Sequence, residues 1–492
     1  MEVELKLALD PADVPRLREA AALAASKPYE TAVDGVYLDT PDCEVAGNGM
    51  ALRVRRAGKR WMQGLKAGHS GTGGLHERHE WEYPQPQARV DLSLFSETPL
   101  ASLPSAASLH EKLVPAFRVR FDRTHWKVSP DPSTRLEIAL DVGEVRSGRK
   151  SERLCEVEIE LLEGDAQRAF DFAESLLDSV TLRPSAVTKA RRGYRLFNRE
   201  TLKPARAHAP KLDGGMDSRQ AARAIVAAAL DQLQANEEGL IAGADPEFVH
   251  QARVALRRMR SVLRVFRDAV GRERARTWRD ELAAATRALG DARDWDVFAD
   301  ETLPAIVAAY GNETVGRSLA QLAGAKRRQA RAAARDAIRS RDYAAAILHV
   351  SRWLAGNDDG GEPERVSDFA ARVLPKRHKG LAEKIERLPQ LGIDERHRVR
   401  IHAKRLRYAV EGLASVLDAQ AAHRFSKRLS DLQDALGRSN DAVTGAKLLE
   451  SLDPPEAFAG FARGWLASRR DADAAQLKHV AARVAGASGM WD

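Results

Sequence analysis

Glu2, Glu4 and Lys6 alternate with Val3, Leu5 and Leu7; Arg53 and Arg55 alternate with Leu52 and Val54; Glu156, Glu158 and Glu160 alternate with Val157, Ile159 and Leu161. Successive side chains of an extended strand point to opposite faces, so each stretch presents one ionic and one apolar face. Glu137 and Asp141 share a parity opposed to Ile138 and Leu140, and Lys66, Arg78, Glu80, Arg123 and Lys189 add charges in or after neighbouring stretches. One such strand is ordinarily the wet side of an antiparallel sheet. Here the signs are segregated, acids on the first and last stretches and bases on the third, whereas a solubilising surface mixes them. If the strands close, the ions either coat an exterior or converge on a lumen, where they need a compensating ligand because unpaired buried ions are costly. A triphosphate with divalent metal meets that need: Lys and Arg contact phosphate oxygens, while carboxylates hold Mg2+ or Mn2+ in octahedral oxygen coordination. Phosphoryl transfer demands mainly positioning and charge neutralisation, which a rigid charged tunnel supplies.

A second constellation is helical. Ala252, Leu256, Met259, Leu263, Phe266 and Val270 recur at spacings of four and three, a stripe facing a core. Arg253, Arg257, Arg260, Arg264 and Arg267 follow one position later and form a basic row on the adjacent face. The row is duplicated. HQARVALRRMR begins at His250 and HRVRIHAKRLR at His397, LG recurs at Leu289 and Leu436, and the offset is 147 in both cases (397 − 250 and 436 − 289). At that offset Arg253 pairs with Arg400, Arg257 with Lys404, Arg258 with Arg405, Arg260 with Arg407 and Asp294 with Asp441. A lone basic row is usually a solvated helix face, but like charges at this spacing repel, and two copies without intervening acids call for a polyanion. Nucleic acid is the less favoured partner, because the rows carry almost no aromatic platform for a stacked base apart from Tyr408. His250 and His397 head the rows, and no HxxxH or HxxE cluster makes either a metal ligand.

These residues require two kinds of scaffold. Residues 1–200 contain eight strand candidates, starting at 2, 32, 51, 60, 75, 117, 135 and 154, with helices expected near 11–25 and 165–179. Eight tilted antiparallel strands suffice to close a small barrel. Residues 201–216, rich in Pro, Gly and isolated charge, read as a linker, and 217–490 as an all-α region of two duplicated helical bundles, so the fold class is α+β and multidomain. A length of 492 residues agrees with more than one domain. The net charge of +8 is uneven: residues 1–200 hold 29 Lys and Arg against 31 Asp and Glu, leaving 78 − 29 = 49 against 70 − 31 = 39 beyond them. That excess again points to a polyanionic partner for the helical part. No apolar run approaches the roughly 18 to 20 residues of a membrane span. The acidic start MEVELKLALD lacks the pattern of a secretory signal, and Cys43 and Cys155 are too few for a disulfide framework, so a cytoplasmic protein with reduced thiols is expected.

EVELK at 2–6 resembles the ExExK signature of the CYTH domain in the triphosphate tunnel metalloenzyme superfamily. LRVRR at 52–56, LK at 65–66, GGLHERHEWEY at 73–83, LEIALDVGEV at 136–145, CEVEIELLEGD at 155–165 and TKARRGY at 188–194 follow in the family's order. The resemblance implies an eight-stranded tunnel that hydrolyses triphosphates with Mg2+ or Mn2+. It implies metal-side carboxylates at Glu2, Glu4, Glu158 and Glu160, with Glu156 a further candidate, and phosphate contacts from Lys6, Arg53, Arg55, Lys66, Arg123 and Lys189. Glu4 and Lys6 would serve catalysis directly, and Glu80 and Asp141 would orient bases or activate water. The neighbouring Arg118 and Arg120 are extra bases whose facing the sequence leaves open. Among superfamily substrates, tripolyphosphate is expected, because the GGLHERHEWEY variant and the appended domain look like bacterial inorganic triphosphatases; thiamine triphosphate and ATP are the organic alternatives.

The paired segments HQARVALRRMR with LGDARDWDV, and HRVRIHAKRLRY with LGRSNDAV, resemble the CHAD domain. That resemblance implies two pseudo-symmetric helical bundles whose basic groove binds inorganic polyphosphate through His250, Arg253, Arg257, Arg260, Arg264, His397, Arg400, Lys404 and Arg407. Asp294 and Asp441 would brace its arginines or cap a helix. A non-catalytic protein of polyphosphate granules is the contrasting possibility.

Overall fold

The computed structural model describes residues 2–243, 245–356, 364–472 and 474–487, so positions 488–490 of the expected helical region lie outside them. By contacts the chain divides into two compact units, residues 1–203 with 339–359, and residues 204–338 with 360–492.

Among the described residues of the first unit, nine strands form one antiparallel sheet: β1 (Glu2–Leu9), β2 (Tyr29–Asp39), β3 (Met50–Ala57), β4 (Arg60–Ser70), β5 (Leu75–Gln85), β6 (Val114–Asp131), β7 (Thr134–Ser147), β8 (Lys150–Glu163) and β9 (Leu182–Pro184). Their order is β5-β4-β3-β2-β6-β7-β8-β1-β9, and a further pairing of β5 with β1 closes the first eight into a barrel. The short β9 lies outside the closed ring, against β1. The closed ring turns the ionic face of each strand inward, and the apolar face is covered from outside. Leu5 and Leu7 of β1, Ile138 and Leu140 of β7, and Val157 and Ile159 of β8 are fully buried on that outer face, in one cluster with Phe170, Ala173 and Leu176 of the helix Gln167–Leu176. The same cluster takes in Ala344 and Leu348 of the helix Arg341–Ala355. The helix expected near 11–25 is instead a set of short turns around Val14–Arg18, broken by the Pro11 and Pro15 that start each turn.

The helix Lys189–Phe197 packs on inward-facing residues of β6 and β7 and brings Lys189 to the lumen. Thr188 caps it, its hydroxyl accepting from Arg191 N. Gly193 lets it approach closely, since a Cβ there would meet the Phe117 ring at 2.1 Å.

The second unit repeats a helical hairpin, Ser218–Ala242 with Pro246–Val265 and Val366–Glu386 with Ile393–Leu413. The sequence offset of 147 carries the first residue of Pro246–Val265 onto the first residue of Ile393–Leu413. Asp217 starts the first hairpin with a reciprocal cap, its carboxylate accepting from the amides of Arg219 and Gln220 while the Gln220 side chain returns to its amide. Each hairpin is followed by a helix bearing the LG motif, Ala283–Val297 and Ala419–Glu450. The predicted stripe of Ala252, Leu256, Met259, Leu263, Phe266 and Val270 is buried throughout, as are Val399, Ala403, Leu406, Val410 and Leu413. No helix among the described residues is long and apolar enough to cross a membrane.

Candidate functional site

The inward parity of the eight strands encloses a cavity of about 750 Å3, walled by Glu2, Glu4 and Lys6 of β1, Arg53 and Arg55 of β3, Lys66 of β4, Arg78, Glu80 and Glu82 of β5, Arg123 of β6, Glu158 and Glu160 of β8, and Lys189. Every predicted tunnel residue except Asp141 and Glu156 thus lines one space. Val119 and Phe121 share the inward parity of Arg123. Arg118 and Arg120 have the opposite parity and pair outside the barrel with Asp34.

Most of the bases are held by carboxylates. Arg53 pairs with Glu80 at 2.7 Å and Glu82 at 3.0 Å, Arg55 with Glu82 at 2.8 Å, and Lys66 with Glu2 at 2.6 Å and Glu80 at 3.1 Å. Gly64 leaves the room: a Cβ there would lie 3.2 Å from Glu82 Oε1 and 3.4 Å from Arg53 Nε. Burial opposes the Glu80 carboxylate, but Arg53 and Lys66 bring its pKa down to about 2. Glu80 is thus the shared counter-ion of Arg53 and Lys66.

Asp141 is fully buried behind the wall. It accepts from Arg123 Nε and Nη2 at 2.6 Å each and lies 2.6 Å from Lys189 Nζ. Glu156 and Glu158 complete the lysine's surroundings at 2.6 and 2.9 Å. Asp141, Glu156 and Glu158 bring oxygens within 4.8 Å of one another, a spacing that would suit a metal ion. The Lys189 ammonium already occupies that space, so the trio is an ammonium cage. Asp141 braces Arg123 and Lys189 and is absent from the cavity lining. Glu158 also accepts from Lys6 and Arg123, so it stands with the bases.

Elsewhere on the wall carboxylates crowd one another. Glu4 faces Glu160, which faces Glu137, across three adjacent strands. Like charges directly opposite one another are destabilising. Burial, then Glu137 and Glu4, push the Glu160 carboxyl up. Burial takes the Glu2 carboxyl up to about 7, although Lys66 works against it. Glu4 Oε1 is buried without a hydrogen bond, its nearest cations being Lys6 Nζ at 3.2 Å and Arg78 Nη2 at 3.6 Å. Crowded carboxylates with an orphaned buried oxygen fit a divalent cation.

Sequence reasoning passed over Glu82, which its spacing of two from Glu80 would have placed, and Tyr37, whose hydroxyl hydrogen-bonds Arg53. It also passed over Tyr29, whose ring stacks on His125 at 4.4 Å, while His125 Nδ1 lies 2.9 Å from Glu137.

In the helical unit a groove of about 530 Å3 is lined by His250, Arg253, Arg257, Arg260 and Arg264 of the first row and His397, Arg400 and Lys404 of the second. Arg407 is absent from the lining. Its guanidinium lies 5.2 Å from the Tyr408 ring and pairs with Glu411 at 3.3 Å, and Arg405 lines the groove instead, with Arg279 and Arg293. Asp294 and Asp441 also face it from the interiors of their helices, so neither is a cap; Asp294 lies 3.8 Å from Arg253. Cations dominate. Burial, then Arg257, Arg400 and Arg253, bring the Lys404 amine down to about 6. Burial likewise lowers Arg253, Arg400 and His250.

Residues 1–194 match the CYTH domain and residues 224–450 the CHAD domain. The chain is 32% identical over 204 residues to the inorganic triphosphatase of Haemophilus influenzae, an alignment covering 41% of this chain and 56% of that relative. The crystal structure of the CHAD domain from the plant Ricinus communis is 30% identical, with a TM-score of 0.52 over 59% of this chain and 99% of that one. A Hippeastrum protein, described as a putative adenylyl cyclase with a dominant triphosphatase activity, is 20% identical over 42% of this chain and 98% of that one, with a TM-score of 0.32.

Proposed function

The chain belongs to the CYTH and CHAD families, one domain following the other, and on that premise we propose that its tunnel hydrolyses tripolyphosphate to pyrophosphate and phosphate while its helical groove binds inorganic polyphosphate. The observation that carries the first part is the enclosure, in one cavity, of a basic wall and a row of crowded carboxylates. The inorganic triphosphatase relative supports the substrate.

Lys6, Arg53, Arg55, Lys66, Arg123 and Lys189 hold the non-bridging oxygens of the substrate, taking over from the carboxylates that hold these bases in its absence. Glu2, Glu4 and Glu160 would hold Mg2+ or Mn2+, with Glu158 at the edge of that set. When bound, such an ion supplies Lewis-acid neutralisation and a water of lowered pKa. Glu80, Glu82 and Asp141 keep the bases aligned, so that charge developing on the leaving pyrophosphate meets preorganised donors. Water adds to the terminal phosphorus as the bridging P–O bond breaks, and the bridging oxygen leaves with pyrophosphate. In the groove, bases from both repeats contact the non-bridging oxygens of a longer chain, which relieves their mutual repulsion.

A substrate panel with Mg2+ and Mn2+ tests this reading. The full chain is expected to release phosphate from tripolyphosphate much faster than from ATP or pyrophosphate, and Glu4→Gln to lose most of that turnover. A preference for ATP with cyclic AMP as product, or undiminished turnover in Glu4→Gln, would refute it.

A further inference from the structure

Arg78 differs from the other bases of the tunnel wall in what holds it. Lys6, Arg53, Arg55, Lys66, Arg123 and Lys189 each touch a carboxylate at 3.1 Å or closer. The nearest carboxylate oxygen to Arg78 is on Glu4 at 3.6 Å, beyond hydrogen-bond reach. Arg78 Nη2 instead lies 3.0 Å from His76 Nδ1, and Arg78 Nε is buried without a hydrogen-bond partner.

The roles of the imidazole follow from its two neighbours. A guanidinium can only donate, so Nδ1 accepts. The other ring nitrogen lies 3.2 Å from the Ser185 carbonyl, which can only accept, so Nε2 donates. His76 is therefore the neutral Nε2–H tautomer. It is 1% exposed, and burial, then Lys6 and Arg78, bring its pKa to about 3. Ser185 is itself fixed, its amide donating to Lys6 O at 2.9 Å, while Lys6 N donates to Gly74 O at 2.8 Å. Gly74 has φ +93°, and a Cβ there would lie 2.9 Å from Lys6 O. The imidazole is thus clamped between β1, β5 and the chain after β9.

We propose that His76 is a positioning residue which holds Arg78 on the tunnel wall as a base hydrogen-bonded to no carboxylate, aimed at a phosphate oxygen of the substrate. The proposal rests on the reading of the tunnel as a triphosphatase. A carboxylate at position 76 would cancel the charge of Arg78, as Glu80 and Glu82 offset that of Arg53. A neutral acceptor fixes the geometry and leaves the charge intact, so an arriving phosphate meets one cation that need not first give up a hydrogen bond to a carboxylate.

The test has two arms, both on the full chain. Ring-nitrogen NMR, with the His76 signals assigned by their loss in His76→Gln, needs no substrate: Nε2 is expected to carry the proton and Nδ1 to stay bare from pH 5 to 8. The reverse tautomer, or a ring protonated at pH 6, would overturn the pairing. In the second arm, loss of one charge-assisted hydrogen bond in His76→Leu raises the KM for tripolyphosphate about tenfold with a smaller change in kcat. Arg78→Gln is expected to match it, the double variant to be little worse than either, and His76→Gln, whose amide both accepts and donates, to stay near the parent KM. An unchanged KM in His76→Leu, or additive effects in the double variant, would overturn the proposal. A parent that leaves tripolyphosphate intact would refute the reading of the tunnel, and the ring signals would still decide the His76–Arg78 pair.

Discussion

Lys404 makes the groove's affinity for a polyanion depend on pH in a direction that can be worked out. Its amine, ordinarily at 10.5, is brought down to about 6 by burial and by Arg257, Arg400 and Arg253, against the pull of Asp441. Below pH 6 the side chain is charged; between pH 6 and 10 it is neutral in the free groove. A polyphosphate laid across those arginines supplies the missing anion and returns the amine toward its ordinary value. At pH 8 only about 1% of free grooves carry the Lys404 proton, so binding takes up about one proton and the association constant falls about tenfold per pH unit. From pH 7 to 9 that amounts to about a hundredfold. Calorimetric titration of the full chain with polyphosphate at pH 8, in two buffers of different ionisation enthalpy, reads the proton uptake directly. Lys404→Arg carries its charge at every pH and should bind with the uptake abolished. An uptake near zero in the parent, or an equal uptake in Lys404→Arg, would refute the reasoning.

Divalent metal binding should strengthen as pH rises through about 7, because the Glu2 carboxyl, raised to about 7 by burial, must shed its proton to act as a ligand; Mn2+ titration followed by electron paramagnetic resonance checks this, and Glu2→Gln should flatten the dependence. Asp141→Asn should destabilise the fold by about 3–5 kcal/mol, because it breaks a buried ion pair with Arg123 and Lys189. Denaturant unfolding measures it, and a stability equal to the parent's would show that Asp141 braces nothing. Arg405→Ala should weaken polyphosphate binding about tenfold, the value of one charge-assisted contact, and Arg407→Ala far less; the opposite ranking in a salt-controlled titration would put Arg407 in the groove.

The ionic faces were readable from parity, because Glu2 to Lys6, Arg53 with Arg55, and Glu156 to Glu160 keep their ions on one side; that they converge on a lumen came from the resemblance. Arg118 and Arg120 were not readable in this way, since the inward positions of β6 turn apolar at Phe117, Val119 and Phe121, where the helix Lys189–Phe197 packs and Phe117 meets Gly193. There alternation no longer marks the lumen by charge. Asp141 has the inward parity yet does not reach the cavity, because Arg123 and Lys189 fill the space in front of it. In the groove, periodicity located the face of each helix but not its edges. Ideal helix geometry puts Arg407 in the row with Arg400 and Lys404 and Arg405 about 100° beyond it. The choice between them comes from Glu411 and the ring of Tyr408, which draw Arg407 away.

The helix Arg341–Ala355 belongs to the first compact unit although about 140 residues separate it from Lys203. It carries Ala344 and Leu348 into the same apolar layer as Leu5 and Leu7, whose strand neighbours Glu4 and Lys6 face the tunnel. A gene shortened after residue 203 would therefore encode a barrel stripped of part of its outer coat, with a greasy scar behind the very strand that bears the ExExK signature. The two modules are stitched by three chain crossings and not by one hinge, so neither can be lifted out with a single cut.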